Sequence, residues 1–245
     1  MNKLGLVGKN IGYSFSRNYF TQKFTKEGIN HAFSYENFDI PSIQDFPEII
    51  KNNPELIGLN VTIPYKEAII PFLDELSENA KQIGAVNTIK IFPNGKLLGD
   101  NTDYFGFIKS LQPLLKSHHK KALILGTGGA AKAVAFGLHQ LDIDFTFVSR
   151  IVNENTMGYE DLDEKTMTDF QIIINGTPLG TFPNTEVYPD IPYQYLNNNH
   201  IVYDLIYNPE KTTFLNNAAE KGAVIKNGHE MLVLQAEKAW EIWNS

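Results

Sequence analysis

Lys121-Ala122-Leu123-Ile124-Leu125-Gly126-Thr127-Gly128-Gly129-Ala130-Ala131-Lys132-Ala133 decides the fold. A short β-type run meets a glycine turn and passes straight into a helix-forming segment, 129–140. The glycines form a G-x-G-x-x-A pattern in the strand–turn–helix setting of the dinucleotide fingerprint. Gly126 suits the tight turn, Gly128 leaves room for a pyrophosphate against backbone N–H groups, and Ala131 lets helix and strand pack closely. Thr127, Gly129 and Ala130 complete the turn at the electropositive start of the helix. The next strand, 144–149, ends in Ser149-Arg150 and carries no acid after its first residue. An NAD site places a carboxylate there for the ribose 2′-OH. Arg150 instead can grip a 2′-phosphate by paired charge-assisted bonds, with Ser149 adding a hydroxyl, so NADP is favoured over NAD.

Outward from this stretch, apolar strands alternate with helical spacing, which predicts an α/β fold. Strands are expected at 3–7, 32–38, 56–63 and 86–92, with helical spacing over 16–28, 42–52 and 65–83, the last broken by Pro71. After residue 103 come a helix to 117, the strands 121–125 and 144–149, and further strands at 171–175, 201–207 and 222–226. A final helix spans 229–244 with Met231, Leu232, Leu234, Ala236, Ala239 and Trp240 on one face. Within the polar stretch 153–169, Tyr159-Glu160-Asp161-Leu162 reads as a short ordered turn. The main division falls near 102, after Gly99-Asp100-Asn101-Thr102-Asp103.

The 245 residues are 42% hydrophobic and 20% charged, which is enough apolar material for a core. Net charge is −7 and no Lys/Arg run exceeds two, which argues against nucleic acid or an anionic membrane as partner. There is no Cys, so disulfides, thiolate nucleophiles and Cys-ligated metals are out. That fits a reducing, cytoplasmic setting. The N-terminal apolar run meets glycine at once, unlike a signal peptide, and nothing approaches the roughly 18 apolar residues of a membrane span. The six His show no metal-ligand spacing, so no metal is expected.

Three polar clusters sit where apolar strands stop, the usual place for α/β ligand sites. Ser14 and Ser16 would face one side of an extended backbone; equally, either could cap the following helix. Asn60 and Thr62 share one side of a strand that Pro64 ends, and Lys66 then begins a helix at its electropositive end. A cation is mildly disfavoured there, by about 0.3–1 kcal/mol, which hints at another role, although an exposed Lys is the plainer reading. Gly84-Ala85-Val86-Asn87-Thr88 precedes Asp103, which stands before an apolar helix and could simply cap it.

Together these segments resemble the shikimate dehydrogenase family. The ordered set is Ser14-Phe15-Ser16, Asn60-Val61-Thr62-Ile63-Pro64-Tyr65-Lys66, Gly84 to Thr88, Gly99 to Asp103 and the glycine turn at 126–131. Asn175-Gly176-Thr177-Pro178-Leu179-Gly180, Asp204-Leu205-Ile206-Tyr207-Asn208-Pro209 and Asn227-Gly228-His229-Glu230-Met231-Leu232-Val233-Leu234-Gln235-Ala236 complete it. The resemblance spans nearly the whole chain. It implies two α/β domains with a cleft between them. Residues 1–102, completed by the C-terminal helix 229–245, would bind substrate, and 103–228 would form a Rossmann-type NADP-binding domain.

It further implies that Lys66 and Asp103 are the catalytic pair. Ser14, Ser16, Asn60, Thr62, Lys66, Asn87, Asp103, Tyr207 and Gln235 would hold the substrate. Gly126, Thr127, Gly128, Gly129, Ala130, Ser149, Arg150, Thr177, Leu205 and Gly228 would hold NADP. The implied reaction is NADPH-dependent reduction of 3-dehydroshikimate to shikimate, by a monomer or homodimer that closes by hinge motion near 102 and 228. Departures from the family pattern are Asn18 where Pro is common, Ser149-Arg150-Ile151 in place of Asn-Arg-Thr, Lys132 for Arg, and a short 150–170 region. The lone Arg makes the NADP preference less strict. A quinate/shikimate enzyme with relaxed cofactor choice, a non-catalytic metabolite sensor and a folate-type dehydrogenase are the alternatives. Arg150 argues against the first and the Lys66–Asp103 pair against the second. The Ser14/Ser16 pair and the Gln235 segment fit the third poorly.

Overall fold

Twelve strands form two six-stranded sheets in the computed structural model, which describes residues 1–12 and 14–245. The first sheet contains β1 (Asn2–Gly8), β2 (Phe33–Asp39), β3 (Leu56–Val61), β4 (Glu75–Leu76), β5 (Thr88–Ile91) and β6 (Leu97–Asp100). Its order is β2-β1-β3-β5-β6-β4. β1 runs parallel to β2 and β3, whereas β5 is antiparallel to β3 and β6, so the sheet is mixed. Its two faces bury separate cores. Phe46, Leu59, Ile69 and Ile89 fill one, and Leu4, Phe20, Phe24 and Trp243 the other.

The second sheet contains β7 (Lys121–Leu125), β8 (Asp144–Val148), β9 (Thr156–Met157), β10 (Ile172–Asn175), β11 (Ile201–Asp204) and β12 (Val224–Lys226). All its pairings are parallel, in the order β12-β11-β10-β7-β8-β9. Counted from β7, this is the doubly wound order 3-2-1-4-5-6, whose switch point lies between β7 and β10. The strands Ala-Leu-Ile-Leu and Ile-Ile-Ile are fully buried, as expected of a parallel sheet covered on both faces. This is the Rossmann architecture.

The helices are α1 (Phe15–Lys26), α2 (Phe46–Asn52), α3 (Glu78–Ile83), α4 (Asp103–Leu111), α5 (Gly129–Gln140), α6 (Glu164–Asp169), α7 (Thr213–Glu220) and α8 (His229–Asn244). By compactness the chain divides into Met1–Thr102 with Gln235–Ser245, and Asp103–Leu234. The division therefore falls inside α8 rather than before it. Met231 is buried in the core of the second unit, whereas Ala236, Ala239 and Trp243 are buried in that of the first. Trp243 lies over Gly58, and its indole N–H donates to the Ile89 carbonyl at 3.0 Å.

Several sequence expectations need correction. The segment 65–83 is not one helix but a turn, a single 3-10 turn at Ile70–Phe72, strand β4 and the short α3. Its apolar residues Ile69 and Ile83 are buried without helical periodicity, because Pro71 interrupts the run. The helix from 103 ends at Leu111, followed by a 3-10 turn at Gln112–Leu114 that includes Pro113. Strands β4, β6 and β9 and helix α6 carry too few residues to show a period. The ordered turn at Tyr159–Asp161 is present.

Candidate active site

A buried polar network ties together the first unit. Tyr35, on β2, donates its hydroxyl to Asn60 Oδ1 at 2.7 Å. Burial pushes the Tyr35 phenol well above its ordinary pKa, so it stays a donor. The Asn60 amide donates to the Asn87 carbonyl at 3.2 Å and to Thr88 Oγ1 at 3.3 Å. Thr88 in turn donates to Asn87 Oδ1 at 2.9 Å, which also accepts from the Thr102 N–H at 2.7 Å. The Asn87 amide nitrogen reaches Thr102 Oγ1 at 3.1 Å and Gln235 Oε1 at 3.3 Å. Asn60, Asn87 and Gln235, which the sequence singles out, thus share one network. Tyr35, Thr88 and Thr102 join them without having been assigned a role.

The topology explains the meeting. Asn60 is on β3, Thr88 opens β5 in register with both Asn60 and Asp100, and Thr102 follows β6. Gln235 is in the part of α8 that packs on this unit. The side chains joined by these bonds are neutral amides and hydroxyls. In this structure the groups satisfy one another, so any that turn to a ligand exchange one buried bond for another.

Two readings of this region change. Ser14 and Ser16 do not lie on an extended strand. Ser14 caps α1, accepting from the Arg17 N–H at 3.3 Å, and Ser16 is buried in the first helical turn. Lys66 does not begin a helix; it sits half-buried in the turn after β3, so the dipole argument for it lapses. Its backbone carbonyl accepts from Val86 N–H at 2.7 Å, which fixes the Lys66 turn against the residue preceding Asn87. Thr62, just past β3, donates its N–H to the Val7 carbonyl at 2.9 Å.

In the second unit, Gly126 has φ +97°, the left-handed backbone that only glycine adopts without strain. Gly128 is different. It caps α5 at φ −74°, and a Cβ there would meet no atom within 4 Å. The protein's own packing does not require glycine at 128, so the open cradle fits a guest approaching the backbone N–H groups of Gly129 and Ala130. Thr127 is exposed beside it. Ala131 is fully buried, and a Cβ on Gly176 would lie 3.3 Å from its methyl, which requires both to be small.

Ser149 accepts the Ile151 N–H at 3.1 Å, and Arg150 is exposed, close enough to Tyr159 to affect its phenol. At the ends of β10 and β11, Thr177 donates its N–H and hydroxyl to Asn175 Oδ1 at 3.0 and 2.6 Å. Asp204 is also found here, wholly buried. Gly228 donates to the Ile206 carbonyl at 3.0 Å, and a Cβ at 228 would stand 2.1 Å from the Leu205 carbonyl oxygen. Asp103, the first residue of α4, is buried, and burial raises the pKa of the half-buried Tyr207. Among the described residues no cluster of metal-ligating side chains occurs.

Residues 6–89 match the model of the shikimate dehydrogenase substrate binding domain. A curated NADP(+) shikimate dehydrogenase of Caldicellulosiruptor saccharolyticus is 38% identical over 260 residues, which is 99% of this chain and 92% of that protein. The chain belongs to the shikimate dehydrogenase family. A solved shikimate dehydrogenase in complex with NADP+ superposes with TM-score 0.87 at 34% identity, covering 99% of this chain and 90% of that one. The Thermus thermophilus shikimate 5-dehydrogenase, solved with NADP(H) and shikimate, gives TM-score 0.87 at 28% identity over 99% and 93% of the two chains. Membership of the shikimate dehydrogenase family makes the parallel sheet an NADP-binding Rossmann domain. Tyr35, Asn60, Asn87 and Thr88 of the buried network lie within the matched segment 6–89. Tyr35 and Asp204 were missed because no local pattern marks them; what distinguishes each is its burial.

Proposed function

We propose that this chain reduces 3-dehydroshikimate to shikimate with NADPH, reversibly, as a step toward chorismate and the aromatic amino acids. The observation that carries the reading is the buried network of the amide and hydroxyl side chains of Asn60, Asn87, Thr102 and Gln235, groups suited to a small polyol. Bound NADPH supplies the hydride to the C3 ketone. Residues of the glycine turn, Gly126 to Ala130, would hold its pyrophosphate, Ser149 and Arg150 the 2′-phosphate, and Thr177, Leu205 and Gly228 the remainder. Ser14, Ser16, Asn60, Thr62, Asn87, Tyr207 and Gln235 bind the substrate carboxylate and hydroxyls.

Lys66 acts as the general acid. As the C=O bond order falls, the ketone oxygen gains an electron pair, and the ammonium stabilises that charge and donates a proton. Asp103 accepts from a substrate hydroxyl and completes the acid–base pair. Residues 1–102 with the end of α8 form the substrate domain, and the parallel sheet carries the cofactor. No helix among the described residues is long and apolar enough to cross a membrane, and we place the enzyme in the cytoplasm as a monomer or homodimer.

The test is turnover. Purified protein with NADPH and 3-dehydroshikimate should consume reduced nicotinamide absorbance. Lys66→Ala should lower kcat by about 100-fold or more, the usual weight of a general acid, while cofactor affinity is retained. Unchanged turnover in that variant would remove Lys66 from the reaction.

A further inference from the structure

We propose that Asp204 is a positioning residue for cofactor binding, a neutral-donor clamp that holds the loops after β10 and β11 in one arrangement. The inference rests on the NADP(H) reading above and deepens it.

Asp204 is fully buried, yet its carboxylate is held by neutral donors. Oδ1 accepts from Asn175 Nδ2 at 3.0 Å and from the Ile206 N–H at 3.0 Å, and Oδ2 accepts the Thr212 hydroxyl at 2.6 Å. A buried carboxylate with only neutral partners is costly, and burial pushes its pKa up to about 6. What it gains is reach. Asn175 and Asp204 are partners in the β10–β11 register and close the C-terminal ends of the two strands.

Asn175 carries the clamp toward the switch point. With its nitrogen donating to Asp204 and, at 3.3 Å, to the Leu179 carbonyl, its Oδ1 is turned to receive both donors of Thr177. Thr177 Cγ2 then lies 3.0 Å from where a Cβ on Gly126 would stand, and the Gly176 N–H donates to the Leu125 carbonyl at 2.9 Å. The other Oδ1 bond fixes Ile206, whose carbonyl receives the Gly228 N–H, while Leu205 N–H donates to the Asn175 carbonyl at 3.1 Å. Thr177, Leu205 and Gly228, the proposed cofactor residues outside the glycine turn and the Ser149–Arg150 pair, therefore all hang from the Asn175–Asp204 pair.

The work is done by acceptor geometry rather than charge. In Asp204→Asn, the remaining carbonyl still accepts from Asn175 and Ile206, and the new amide can donate to Thr212 Oγ1. Asp204→Ala removes every acceptor, and Asn175→Ala removes the arm to Thr177 and the bond to the Leu179 carbonyl while leaving Asp204 its Ile206 and Thr212 donors. NADPH affinity is read by nicotinamide fluorescence, and steady-state constants by shikimate oxidation. Asp204→Ala and Asn175→Ala should each raise the Kd and KM for the NADP cofactor by about 10-fold or more, as loss of a buried bond implies. The KM for shikimate should stay within about 2-fold and kcat at saturating cofactor within about 3-fold, and Asp204→Asn should restore cofactor affinity. If Asp204→Ala does not fold, Asn175→Ala carries the comparison. Unchanged cofactor Kd in a folded variant, equal loss of both substrate affinities, or an Asp204→Asn as weak as the alanine variant would each overturn the clamp. Wild-type protein that fails to bind NADPH would defeat the NADP(H) reading itself.

Discussion

The Tyr35 hydroxyl donates to Asn60 Oδ1 across 2.7 Å, joining β2 to β3 over the intervening strand β1. That bond sets the Asn60 amide so that its nitrogen faces Asn87 and Thr88. Tyr35→Phe keeps the ring, which stacks on Phe20 at a centroid separation of 4.7 Å, and removes only the donor. A buried Oδ1 left without its partner should lower stability by about 1–3 kcal/mol. The KM for shikimate should rise several-fold while the KM for the NADP cofactor holds. Thermal denaturation and steady-state kinetics on the one variant measure both, and an unchanged shikimate KM would separate Tyr35 from substrate binding.

Two glycines of one turn should respond differently. At Gly126, φ +97° makes any Cβ strained, and Gly126→Ala should destabilise the fold by about 1 kcal/mol or more. At Gly128, φ is −74° and the space is open, so Gly128→Ala should change the melting temperature little, the entropy lost by the unfolded chain being offset by the poorer N-cap. The same methyl should nevertheless weaken NADPH binding, because it fills the cradle that a pyrophosphate would occupy. Calorimetry paired with NADPH titration distinguishes the two. A Gly128→Ala protein that binds NADPH normally would place the phosphates elsewhere.

Arg150 is exposed at the end of β8, with Ser149 beside it accepting a backbone N–H and keeping its own proton to donate. Loss of a charge-assisted phosphate contact costs about 1.5–3 kcal/mol, or roughly 10- to 100-fold in affinity. Arg150→Ala should therefore raise the KM for NADP by about that factor and leave the KM for NAD nearly unchanged. Equal effects on the two cofactors would show that the guanidinium does not read the 2′-phosphate.

The second unit was legible because its signals are local. The run Lys121–Leu125, the glycine turn and the helix 129–140 follow one another directly, and α5 spans Gly129–Gln140. The segment 65–83 was not, since Ile69, Ile70, Phe72, Leu73 and Leu76 mimic helical spacing while Pro71 divides it. Tyr35 looked like any strand aromatic. Where its hydroxyl ends depends on β1 lying between β2 and β3, a pairing that no neighbouring residue encodes. Ser14, by contrast, was open to two readings, and its bond to the Arg17 N–H shows it as the cap of α1. Asp204 stood inside a quoted motif without a role, since sequence marks it as acidic but not as buried.

Asp204 also gives a pH signature. Desolvation raises its carboxyl from 3.8 to about 6, against the opposing hydrogen bonds of Thr212, Ile206 and Asn175. Between those values the folded protein holds a proton that the unfolded chain has released. Stability attributable to this group is therefore full below about pH 4 and is lost as pH rises through about 6. The loss is on the order of 3 kcal/mol. Asp204→Asn cannot ionise and escapes it. Relative to the wild type, the variant should gain stability as pH rises from about 4 to 7, then hold a constant advantage. Urea midpoints measured for both proteins across that range test the sign. A wild-type–variant difference that is flat from pH 4 to 7 would mean that the buried carboxylate titrates at its ordinary value.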